Sequence, residues 1–142
     1  MAKNRIVSLP GDGDTVRGFS APDLVIEDEA AFVSDALYQA IRPMLAVSKG
    51  RLILMSTPHG KRGHFYEAWE HGGRLWSRES ITAYQVPRIT RDFLDDERAA
   101  IGDWWFAQEY ECRFMDTSDQ LFSSATIAAA VTSDIRPLQV RL

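Results

Sequence analysis

Apolar residues in this chain come in short runs that end abruptly at polar ones. Leu24, Val25 and Ile26 follow Pro22 as one compact run, and three carboxylates, Glu27, Asp28 and Glu29, come at once after it. Such a run predicts a strand buried on both faces of a parallel sheet. Arg51 to Met55 repeats the pattern and stops at Ser56, Thr57 and Pro58. Between the two, Leu37, Ile41, Met44 and Leu45 recur three and four residues apart, the apolar stripe of a helix capped by Ser34 or Asp35. Pro43 predicts a kink or an early end, and Gly50 marks the stop. A strand, helix, strand unit crosses over right-handed and sets both strands in one parallel sheet. Their carboxyl ends then share an edge, where open α/β sheets bind ligands.

The flanking pattern adds further elements. Arg5 to Leu9 reads as a short strand ending at Pro10, and GDGD at 11–14 as a tight turn. Gly63 to His71 reads as a short helix broken by Gly72 and Gly73, with 75–86 extended. Thr90 or Asp92 caps a helix through Leu94 and Ile101. After Gly102 a second helix sets Phe106, Tyr110 and Phe114 on one face, with Trp104 and Trp105 as core. Residues 116–123 form a polar connector before a last helical piece at 125–131. There is no internal repeat or low-complexity segment, and the fold class is α/β, a parallel sheet flanked by helices.

Composition bounds the picture. At 142 residues and 45% hydrophobic, the chain supports one core. No stretch approaches the roughly 18 apolar residues of a membrane span, and MAKNRIVSLP lacks a signal-peptide centre, so the expected setting is intracellular, in the cytoplasm. Cys112 is the sole cysteine, which excludes an intrachain disulfide and suits a small filler on a helix. The net charge of -4 argues against a general nucleic-acid coat. Its distribution is uneven: residues 49–91 carry +5 and all three histidines, and 92–119 carry -7. The basic block is either a face for a phosphate-rich partner or an ordinary solvated surface.

The strand ends carry the chemistry. A carboxylate at the end of a buried strand holds Mg2+ directly or through water, because this hard cation takes oxygen ligands and stays partly hydrated. A neighbouring Glu aligns a water aimed at a γ-phosphate. This is the Walker B arrangement, with Asp28 on the metal and Glu29 on the water; the same letters also fit solvated acids paired with Arg17 or Arg42. Ser56 and Thr57 on the adjacent strand end reach the phosphate or its water, and Pro58 stiffens the following loop, unless the segment is simply a turn. A metal site through His59 and His64 is disfavoured by their spacing and by the lack of a nearby cysteine.

Taken in order, RGFSAPDLVIEDEAAF, LILMSTPHGKRG, ITRDFLDDE and WWFAQEYECRF resemble the later part of the ATPase domain of tailed-phage terminase large subunits, over roughly residues 5–123. The resemblance implies a partial P-loop NTPase fold of the ASCE/RecA-like kind. It also implies Mg2+ and ATP as cofactors, with Asp28 and Glu29 serving hydrolysis. Ser56, Thr57 and Pro58 fall on the motif that couples hydrolysis to DNA movement. Arg17 falls where an arginine finger can reach a neighbouring subunit, or pairs locally with Asp23 or Glu27. Implied partners are double-stranded viral DNA, the portal, the small terminase subunit and further copies of the chain, without a membrane.

Three features depart from the pattern. No G-x-x-x-x-G-K-[ST] occurs, since GKRG at 60–63 lacks its first glycine and its Ser or Thr. The nuclease acids expected after about Phe122 do not appear. Glu27 stands where an apolar residue is usual, leaving a Glu27 and Asp28 register open. The expectation is a terminase-type ATPase part at 1–115 and a connector at 116–142, inactive in ATP hydrolysis alone and prone to self-association through an open sheet edge. The alternatives are a non-catalytic prophage remnant, a module binding DNA or protein, and a superfamily 2 helicase fragment.

Overall fold

A computed structural model describes residues 5–11, 16, 18–116 and 121–131. Strand β1 (Leu24–Asp28) leads through helix α1 (Asp35–Ser48) to strand β2 (Arg51–Met55), and the strands pair in parallel with Leu24 opposite Arg51 and Asp28 opposite Met55. Helix α2 (Gly63–Glu70), two 3-10 turns at Gly73–Leu75 and Ala83–Gln85, helix α3 (Arg91–Glu109) and helix α4 (Ser124–Ala130) follow. No helix among the described residues is long and apolar enough to cross a membrane.

The strand, helix, strand unit forms where the sequence places it. Ser34 caps α1, its side chain accepting from the Leu37 amide at 3.3 Å. Leu37 and Ile41 are buried with Val16, and Val25, Leu52, Met44 and Leu45 pack around them. Pro43 lies inside α1 without ending it; the helix runs to Ser48 and closes on Lys49 in the left-handed region. Gly50 is required for space: a Cβ there would run into the Pro22 carbonyl oxygen and lie 2.8 Å from Leu45 Cδ2.

Several expectations are corrected. Residues 5–10 form no strand, and 76–82 join no ladder. The strands are covered on one face only. Val25, Glu27, Leu52 and Leu54 face α1, whereas Ile26 and Ile53 on the opposite face are 55% and 41% exposed, because no described element packs over them.

Helix α3 bends sharply at Gly102, whose φ of 82° is non-helical. Phe106 and Tyr110 stack at 5.0 Å, but α3 ends before Phe114, which packs instead on Phe65, Tyr66 and Trp69 of α2. Trp105 is half exposed, so only part of the aromatic cluster is core. Cys112 lies beyond the helix at φ 55°, its thiol 3.4 Å from the Ile81 carbonyl oxygen. The connector at 116–123 lies partly outside the described residues.

Candidate functional site at the carboxyl edge of the sheet

Parallel pairing brings the two strand ends together. Asp28 stands opposite Met55, and the Ala30 amide donates to the Met55 carbonyl at 3.0 Å, carrying the pairing past the last strand residue. Ser56, Thr57 and Pro58 therefore leave β2 beside Asp28 and Glu29. Asp28 and Glu29 are exposed, Ser56 and Thr57 half-buried and Pro58 buried.

Local conformation presents the acids. Glu29 has φ 54°, uncommon for a residue with a Cβ, and its amide donates to Asp28 Oδ1 at 3.1 Å. The chain thus turns immediately after the strand. Ser56 Oγ is buried and finds no polar partner among the described residues, as does His59 Nδ1. The His59 ring packs on Phe32 at 4.3 Å, so the 29–34 and 56–62 loops touch each other. Arg17 lies outside the described residues. Arg42 donates to the Tyr38 hydroxyl at 2.9 Å.

Glu27 has a separate role. Strand alternation turns it away from Asp28 and toward α1, where it is 5% exposed. Its Oε1 lies 2.9 Å from His64 Nε2 on α2. The contact is a close charge pair and not a well-aligned hydrogen bond, and Oε2 has no polar partner among the described residues. On the other side of the ring, Asp35 Oδ1 lies 3.2 Å from His64 Nδ1 and accepts from the His64 amide at 2.8 Å. Tyr38 stacks on the imidazole at 4.4 Å. Burial alone would depress the His64 pKa, but Glu27 and then Asp35 outweigh it and raise the value above 6.5. With a carboxylate at each nitrogen, the imidazolium, a donor on both sides, is the form that satisfies the site.

This cluster was not anticipated. Its one signal in the sequence is an acid at the inward parity of an otherwise apolar strand, which demands a buried partner. The two-histidine metal site does not form: His64 lies between carboxylates, His59 against Phe32, and the described residues hold no cluster of three metal-ligating side chains. The basic block is also divided. Lys61 pairs with Asp116 at 2.8 Å, and Arg78 donates to the carbonyls of Ala68, Gly73 and Trp76, while Arg62, Arg74 and Arg88 are exposed.

A parallel sheet flanked by helices, with an acid pair and a hydroxyl pair on one carboxyl edge, defines an α/β unit of the P-loop NTPase class. The comparisons with known proteins are more specific. Terminase large subunits of Thermus phage G20c and Thermus virus P23-45 are each 31% identical over 128 residues, an alignment taking in 78% of this chain and 26% of theirs. The solved ATPase domain of the Thermus phage P74-26 large terminase superposes with a TM-score of 0.59 at 31% identity, covering 72% of this chain and 47% of that one. An arginine-to-alanine mutant of the same domain gives 0.60 at 27% identity, covering 73% and 49%. No family model matches the chain. The chain belongs with the phage terminase large subunits, aligned to their ATPase domain. It spans about a quarter of the length of those curated relatives and about half of the solved domain.

Proposed function

We propose that this chain supplies the Walker B acids and the coupling loop of a DNA-packaging ATPase, with residues 1–115 as the ATPase part and 116–142 as connector. The observation that carries this reading is the strand register that sets Asp28 beside Met55 and hence beside Ser56. The donor set suits Mg2+ bound with ATP: Asp28 offers one exposed carboxylate, water would complete its shell, and Ser56 and Thr57 at the adjacent strand end are left for the phosphate. When bound there, Mg2+ would supply positive charge against the phosphate oxygens.

The chain's own residues do the remainder. With nucleotide bound, Asp28 would hold the cation, Glu29 would orient the attacking water, and Ser56 and Thr57 would contact the terminal phosphate. Pro58 keeps the following loop stiff, so a small shift at the edge moves it as a body. Arg17 acts on the nucleotide of a neighbouring copy. Double-stranded viral DNA is the proposed cargo, and the portal and the small terminase subunit are the proposed partners. These 142 residues contain no phosphate-cradling glycine loop, and most of the stabilisation of phosphoryl transfer comes from that loop. The chain by itself is therefore expected to release phosphate from ATP no faster than background.

A chimera tests the reading. Residues 18–116 replace the aligned segment of the Thermus phage P74-26 ATPase domain, which supplies the remainder of the domain, and folding is checked by circular dichroism. The folded chimera should hydrolyse Mg-ATP, and Asp28→Asn or Glu29→Ala should each cut kcat by roughly 100-fold or more. A folded chimera whose turnover ignores both substitutions would overturn the assignment.

A further inference from the structure

The 56–62 loop is tied at one end to the residues just past β1 and at the other to β1 itself. At its start the Ala30 amide holds the Met55 carbonyl at 3.0 Å. At its end His64, the second residue of α2, meets Glu27 of β1 at 2.9 Å. Gly63 makes the second tie possible: its φ of 79° turns the chain so that both the amide and the ring of His64 face Asp35, at 2.8 and 3.2 Å. Tyr38 closes over the ring at 4.4 Å. A segment pinned at both ends to one strand and its immediate continuation follows that strand.

We propose that Glu27 and His64, braced by Asp35 and Tyr38, form a strut that makes the 56–62 loop and the start of α2 move with the Asp28 end of β1. His64 is then a positioning residue: buried between Glu27 and Asp35, it carries a change at the rim across to the loop and to α2. The inference rests on the proposed role of Asp28 only for what starts the movement; the strut itself is geometry.

The chemistry of the cluster favours this over plain packing. Taking two charged groups out of water is expensive, and apolar residues of similar volume commonly give equal or greater stability at such a position. Glu27 also leaves one buried carboxylate oxygen without a partner among the described residues. An ion pair fixes a distance between two particular atoms, which an apolar contact of the same size does not. The site trades packing quality for a defined link between β1 and α2.

The test compares the unmodified chain with the double variant Glu27→Val, His64→Leu, which fills the site with apolar volume. Amide hydrogen exchange is read at 56–64 against 52–55, with thermal unfolding as the control for the fold. The strut predicts that exchange at 56–64 speeds up on the order of 10-fold while β2 and the melting temperature stay within error. Unchanged exchange at 56–64 in a variant that melts normally would overturn it. If the double variant does not fold, Glu27→Gln, which keeps the volume and removes the charge, is judged by the same criterion.

A second arm titrates Mg2+ alone and follows backbone amide shifts. Shifts at 28–29 in both proteins that spread to 57–64 only in the unmodified chain support the relay, and equal spread in both overturns it. No shift at 28–29 in the unmodified chain overturns the metal assignment of Asp28, and the exchange arm then decides the strut by itself.

Discussion

The two faces of the β1 and β2 sheet are built from the same kinds of residue and live in different surroundings. On the face toward α1, Val25 and Leu52 pack against Leu37 and Ile41, which are each 5% exposed. On the other, Leu24, Ile26, Ile53 and Met55 are all at least 40% exposed. A parallel strand reads as apolar on both sides because its usual setting has helices over both faces. Here one layer of helix gives the unit its core. The bare face shows that an apolar strand pattern records the covering a sheet is built for, whether or not the described residues provide it.

The sharpest way to break this comparison is to cut into the covered face. Ile41→Ala should cost about 2–5 kcal/mol, read from chemical denaturation, because the space it leaves between α1 and the sheet cannot collapse fully. A loss as small as that of a surface substitution would mean that the α1 face is not the core. Gly50→Ala comes next. Its methyl group meets the Pro22 carbonyl oxygen and Leu45 Cδ2, so the turn into β2 must shift, at about 1–3 kcal/mol. Full retention of stability would show that the α1 to β2 turn has room to give.

A smaller effect comes from His64, under the same covered face. Its pKa is raised in the fold, so its contribution to stability is complete below pH 6.5, the unfolded value, and is lost as pH rises through the higher folded value. The melting temperature should fall across that window in the native chain and be flat there in His64→Gln. A fall of equal size in both proteins would assign the pH effect elsewhere. The smallest change is expected on the bare face. Ile26→Ser with Ile53→Thr should alter stability by no more than roughly 0.5 kcal/mol per site. It should also reduce self-association in light scattering, since exposed apolar surface beside open strand edges invites it. A large loss of stability would mean that this face is covered in solution by something the described residues do not include.

Much of this was legible in the chain. The spacing of Leu37 and Ile41, the cap at Ser34 and the stop near Gly50 drew the strand, helix, strand unit, because each is a local signal read within a few residues. The acid pair Asp28 and Glu29 and the hydroxyl pair Ser56 and Thr57 were visible for the same reason, as abrupt ends to apolar runs. Phe114 was misplaced because helical spacing continues past a helix end that only the turn at Tyr110 reveals. The strand expected at Arg5 to Leu9 has the right letters and no partner to pair with among the described residues.

Sequence by itself determined which elements form in the central unit and where each one ends, since capping, periodicity and glycine placement act over a turn of helix or a few strand residues. Only the tertiary structure decided the register that sets Asp28 beside Met55, the uncovered face of the sheet, and the meeting of Glu27 with His64 and Asp35. Those depend on contacts between residues far apart in the chain, and a buried charge does not name its partner until the fold brings one within reach.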